Sequence, residues 1–182
     1  LQETETNYET DLFMPIMHKI EEICNIPYNG QMQFKVIADH IRTLTFALSD
    51  GAVFENVGRG YVLRRLLRRA SRMGRKLNIN KEFLSPLVDV VVDNYKEIYP
   101  ELVGTMPKVK ELISKEELLF QKTLLSGEKK LEELFKNKNK VISGKDAFKL
   151  YDTYGYPIEL TEEAAMEKGF TVDKEEFKAY MN

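Results

Sequence analysis

The sequence is poor in the residues that build most reaction centres. It has one cysteine, Cys24, and two histidines, His18 and His40, among 182 residues. A single thiol excludes an internal disulfide framework and suits a reducing compartment. One Cys with two His also leaves no closed Cys/His zinc site. No apolar run approaches the roughly 20 residues that span a bilayer, and no basic-then-apolar leader opens the chain. No Walker-type phosphate loop occurs, and Gly58-Arg59-Gly60 is not a dinucleotide fingerprint. The remaining composition, 43% hydrophobic and 31% charged, is that of a globular chain. The expectation is a soluble cytoplasmic protein with no membrane association.

Charge is present in balance overall but not locally. The net charge is −2, from 27 basic and 29 acidic residues. Yet Arg59 to Lys76 holds eight basic residues, seven of them arginine, and no acid. Acids gather at Glu3 to Asp11, Glu116/Glu117, Glu132/Glu133 and Glu159 to Glu167. Screening confines charge effects to about 8 Å at physiological salt, so the local block matters more than the total.

The periodicity is helical nearly throughout, which predicts an all-α fold: a helical bundle with a smaller, mainly helical C-terminal subdomain. Residues 11–26 place Leu12, Phe13, Ile16, Met17, Ile20 and Ile23 on one face, with Pro15 tolerable in the first turn. A second helix over 33–48 is expected to stop at Ser49-Asp50-Gly51. An arginine helix to about Lys76 is expected to bury Val62, Leu66, Leu67, Ala70 and Met73. Asn80 is the expected cap of a helix over 81–99. Pro100 and Pro107 bracket an expected interruption, after which a helical pattern runs to about Lys138, weakened at Gly127. A short helix near 145–151 leads into LYDTYGYP; Thr161 is expected to open the next helix, Gly169 to end it, and Asp173 to cap the last. The division expected is 1–125 and 126–182.

Three features could carry function. Arg59, Arg64, Arg65, Arg68, Arg69 and Arg72 offer planar guanidinium forks on neighbouring turns, and such forks match phosphate oxygens bidentately. The plainer alternative is that they pair with acidic helices and hold the bundle together. The loop before that helix has Gly51, Gly58 and Gly60, which let backbone approach a ligand, and Asn56, which can donate and accept. It leads into a helix N-terminus, where N–H groups favour anions. It is equally readable as a tight connection. Asp152 can accept from an exocyclic amino group, and in the minor groove only guanine N2 offers that donor. A turn-stabilising or capping Asp is the simpler reading. His18, His40 and Cys24 read as structural, and no nucleophile–base pair or metal-ligand spacing accompanies them. The chain alone is therefore expected to be non-catalytic, with no cofactor of its own. A function of another class stays open, a helical protein-interaction domain with a structural arginine helix.

Two long strings carry a specific resemblance. VIADHIRTLTFALSDGAVFENVGRGYVLRRLLRRASRMGRK (Val36 to Lys76) and AFKLYDTYGYPIELTEEAAMEKGFTVDKEEF (Ala147 to Phe177) closely resemble the middle region of alanyl-tRNA synthetases, in the family's order. The opening LQETETNYETDLFMPIM resembles the stretch after that enzyme's last class II motif. The loop departs from the family in carrying Phe54-Glu55 where a Pro-Ser-like pair is usual, while Asn56 keeps its matching position. The resemblance implies a fragment between an aminoacylation domain and an editing domain of the same chain. It implies binding of the tRNA(Ala) acceptor stem, with Asn56 and Asp152 reading its G·U wobble pair. It places ATP, magnesium and a zinc-bearing editing domain in the full-length enzyme, outside this segment.

Overall fold

Eight helices and two short strands make up the regular structure among the described residues, 11–182, of the computed structural model. The acidic stretch before Asp11 and most of the opening string lie outside them. The chain divides into two compact units, the first ending at Leu118 and the second running Leu119–Asn182. The boundary falls inside one long helix; the division expected between 125 and 126 falls later in the same helix.

The first unit contains α1 (Met14–Cys24), α2 (Met32–Ser49), α3 (Gly58–Lys76), α4 (Leu84–Tyr95) and the start of α5 (Glu101–Leu134). Each helix buries one stripe. Ile16, Met17 and Ile20 of α1 meet Phe34, Ile37, Ile41 and Leu44 of α2, together with Leu67, Ala70 and Met73 of α3 and Leu87, Val88 and Val91 of α4. α2 packs most extensively against α3. One expected core residue is misplaced: Val62 is 40% exposed, and Leu63 takes the buried position. The buried face runs through Leu63, Leu67, Ala70 and Gly74 at i, i+4, i+7 and i+11, which leaves Val62 on the flank.

Two expectations around α4 and α5 are corrected. α4 begins at Leu84, not Lys81, and Asn80 does not cap it. The cap comes from α5 instead. The Glu117 carboxylate, fully buried, accepts the N–H groups of Phe83 (3.0 Å) and Leu84 (3.1 Å). Those are orphan donors of a helix start, and the two Glu117 oxygens satisfy one each. Burial pushes Glu117 up to about 8, against the lowering effect of these two bonds. Pro107, expected to interrupt, lies inside the 34-residue α5. It removes one intrahelical bond, to Val103, and both residues lie on the exposed side, where water can serve the released carbonyl.

The second unit contains the rest of α5, β1 (Val141–Ile142), α6 (Gly144–Asp152), α7 (Ile158–Glu167), β2 (Thr171–Val172) and α8 (Lys174–Met181). β1 and β2 pair in parallel, Val141 with Thr171 and Ile142 with Val172. Tyr156, fully buried, is the pivot of this core. Its hydroxyl donates toward Glu128 Oε2 (2.5 Å), with the Leu124 carbonyl 3.1 Å away. Gly127 is no weak point but a clearance: a Cβ there would sit 2.3 Å from the Tyr156 ring. α7 starts at Ile158 after Pro157, so Thr161 is buried within it rather than opening it. It stops at Glu167, before Gly169. Ser143 caps α6 and Asp173 caps α8, each accepting from the N–H three residues on.

Candidate nucleic-acid interface

Asn56 sits in the loop that feeds α3, and its local geometry follows from close backbone packing. A Cβ on Gly60 would lie 2.6 Å from the Val53 carbonyl oxygen and 2.6 Å from Glu55 Cβ, so only glycine lets the loop fold onto the first turn of α3. That presses Asn56 outward, where it is exposed. Val57 precedes the helix in an extended conformation and supplies no side-chain cap.

The arginines of α3 separate into groups with different surroundings. Arg68 is 8% and Arg72 4% exposed, so both guanidinium side chains are largely withdrawn from solvent. Arg68 lies on Glu116, its Nη2 donating to Oε2 at 2.7 Å and its Nε at 3.1 Å. Glu116 holds Arg64 as well, with Nε at 2.9 Å and Nη2 at 3.2 Å. The third nitrogen of Arg64, Nη1, donates to Asn56 Oδ1 at 2.5 Å. Arg64 and Arg68 are therefore occupied inside the protein, and for these two the plainer alternative describes the structure. Glu116 is 5% exposed, as befits a carboxylate whose charge is met by two guanidinium groups.

Arg69 is held differently. Its Nη1 donates to Nε2 of His40 at 3.1 Å, and Nδ1 of His40 lies 3.2 Å from Asp39 Oδ2. Guanidinium has only donors, so this contact uses the lone pair of Nε2 and turns the Nδ1 edge of the ring toward Asp39. The hydrogen bond from His40, with the electrostatic pull of His40 and Arg42, outweighs burial and leaves the Asp39 carboxyl below its usual value. Arg69 and Arg65 are half-buried, and Arg59 is exposed in the first turn of α3. Arg59 also borders an open cleft of about 530 Å³, where Arg42 and Arg59 are balanced by Asp50 and Glu101. That balance gives the cleft no preference for an anion.

Asp152, in the second unit, is the last residue of α6. The chain leaves the helix by closing over it: Thr153 N–H reaches Lys149 O at 2.8 Å and Tyr156 N–H reaches Leu150 O at 2.9 Å. Gly155 at φ +73° makes that closure possible. The Tyr154 carbonyl is pinned by the Thr123 hydroxyl at 2.6 Å. Backbone bonds thus secure the turn, and the Asp152 carboxylate, exposed, takes no part in them. It also sits at the negative pole of its helix, where a carboxylate is disfavoured. The acids with structural duties, Asp146 and Asp173, stand at helix N-termini instead. The capping reading of Asp152 is therefore set aside.

Sequence reasoning missed Glu116 and Glu117. Their signal was available: both continue the i+3/i+4 stripe of Leu112, Ile113 and Phe120, and acids on an apolar stripe need partners. Among the described residues, no group of three His, Cys, Asp or Glu side chains is arranged to hold a metal, and no helix is long and apolar enough to cross a membrane.

The family model for class II (A) tRNA synthetases matches residues 1–182. The chain belongs to that family. It is 54% identical over 95% of its length to the alanine–tRNA ligase of Acholeplasma laidlawii, and 52% identical over its whole length to that of Bacillus thuringiensis subsp. konkukian. The alanine–tRNA ligase of Staphylococcus aureus is 52% identical over 99% of the chain. The chain spans about a fifth of the length of these curated relatives, 20–22%. The segment carries a cationic helix, α3, and two exposed polar residues, Asn56 in the first unit and Asp152 in the second.

Proposed function

We propose that this chain is the tRNA(Ala) acceptor-stem recognition module of an alanine–tRNA ligase, and that Asn56 and Asp152 each contribute a contact to the G·U wobble pair. The observation that carries the reading is Asp152: an exposed carboxylate at the wrong pole of its helix, in a turn that its side chain does not support. A fold keeps a locally unfavourable charge where function uses it. A carboxylate accepts from the guanine N2 amino group, and RNA's wide, shallow minor groove admits side chains to that edge. Arg59, Arg65 and Arg69 supply phosphate contacts that set register without reading sequence. ATP, magnesium and zinc-dependent editing belong to other parts of the longer enzyme in this reading, with the catalytic and editing domains as partners in the same chain.

The ion pairs of Arg64 and Arg68 favour the second reading, a protein-interaction domain with a structural arginine helix, for that part of α3. One experiment separates the two. The 182-residue chain is titrated with acceptor-stem minihelices carrying G·U or G·C across a salt series. The expected result is salt-sensitive binding with a G·U preference that Asp152→Asn removes, leaving the salt slope unchanged. Absence of binding at low salt sinks the RNA reading in favour of the second.

A further inference from the structure

We propose that Arg64 is a positioning residue for base-pair discrimination, fixing the Asn56 carboxamide from the buried Glu116 so that Asn56 acts as a hydrogen-bond donor. The inference rests on the reading that Asn56 meets the nucleic acid.

An exposed carboxamide has a donor end and an acceptor end of nearly the same shape, and left to itself it turns freely between them. A residue that must tell one functional group from another cannot be allowed that freedom. Asn56 is exposed and lies on a loop, so its own surroundings do not restrain it. Arg64 does. Its Nη1 can only donate, so it selects Oδ1 of Asn56, and the Nδ2 amino group is left to face away.

Arg64 can hold Asn56 only because it is itself held. Glu116 engages it through Nε and Nη2, one edge of the planar fork, which aims Nη1 along the other edge toward the loop. Glu116 in turn is fixed by Arg68, whose side chain is 9% exposed. The chain of contacts runs from a buried carboxylate on α5, through one guanidinium on α3, to one exposed amide. Each of the three Arg64 nitrogens thus has a protein partner in this arrangement. The amide it fixes is complementary to the Asp152 carboxylate: one presents a donor, the other an acceptor.

The test uses Arg64→Lys and Arg64→Gln in the 182-residue chain, alone and combined with Asn56→Ala, against the G·U and G·C minihelices. Lysine keeps the charge but cannot grip Glu116 by two nitrogens and reach Asn56 with a third. Glutamine removes the charge at similar bulk, so at least one variant reports if the other fails to fold by its thermal transition. The expected result is a loss of G·U preference on the order of tenfold, the scale of one well-placed base contact. The salt slope of Arg64→Lys should stay at the wild-type value, and neither substitution should lower the preference further in the Asn56→Ala background. Uniform weakening on both stems with a flatter slope would make Arg64 a phosphate contact and overturn the positioning role. Additive loss in the Asn56→Ala background would overturn it too. Full preference retained by Asn56→Ala overturns the reading of Asn56 itself, and the inference falls with it.

Discussion

Asn56 and Asp152 are both exposed polar residues, yet the two units of the chain treat them in opposite ways. Asn56 is backed by a buried network in the first unit: Glu116, 5% exposed, holds Arg64, which holds the amide. Asp152 ends α6 with its carboxylate exposed, and the turn that follows is held by backbone bonds and by Thr123. The difference reflects chemistry. A carboxylate is an acceptor from either oxygen and needs no orienting, so a rigid turn is enough. A carboxamide has two unlike ends, so a partner must choose between them. The cost also falls in different places: burial of charge in the first unit, and an unfavourable helix pole in the second.

The largest effect that would break this contrast comes from the buried side. Glu116→Ala removes the carboxylate that Arg64 and Arg68 share in a nearly closed environment, and breaking such a buried pair costs about 3–5 kcal/mol. The expected outcome is a large fall in the urea midpoint of the first unit. A change within a few tenths would show that water reaches Arg68 and that the network is not a rigid anchor.

Glu117, next in the chain, should give an intermediate effect that depends on pH. Burial raises its pKa to about 8, so the folded state favours the protonated form. The stability it contributes is greatest below the unfolded value near 4.5 and is lost as pH rises through about 8. Unfolding midpoints at pH 5, 7 and 9 should therefore decline more steeply for the wild type than for Glu117→Gln. Parallel profiles would mean that the two N–H bonds from Phe83 and Leu84 outweigh desolvation and keep the group ionised throughout.

The smallest effect sharpens the contrast from the other side. Asp152→Asn removes a charge from the C-terminal pole of α6, so thermal stability should rise slightly, by about 0.3–1 kcal/mol. A clear loss of stability would reveal a structural role for the carboxylate, and Asp152 would no longer differ in kind from Asp146 and Asp173.

Local rules read directly from the chain account for much of the fold. The stripes of α1 and α2, the end of α2 at Ser49, the stop of α7 before Gly169 and the cap at Asp173 depend on residues within a turn of one another. Expectations went astray where a distant residue took over a local task. Asn80 lost the cap of α4 to Glu117, which lies on α5. Gly127 looked like a weak point until Tyr156 was placed against it. The pairing of β1 with β2 joins two-residue strands separated by α6 and α7, too short for alternation to register. The arginine block was visible as a block, but its division was not: charge in a sequence does not say which guanidinium is buried.

The sequence by itself determined an all-α chain, a cationic helix behind a glycine-bearing loop, and the two polar residues that resemblance singles out. These follow from periodicity and side-chain chemistry, which neighbours along the chain settle among themselves. Only the tertiary structure decided which arginines are spent on internal carboxylates, which end of the Asn56 amide faces out, and that Asp152 supports nothing around it. Those outcomes depend on desolvation and hydrogen-bond geometry between helices, and neither exists until α5 lies against α3 and the turn after α6 has closed.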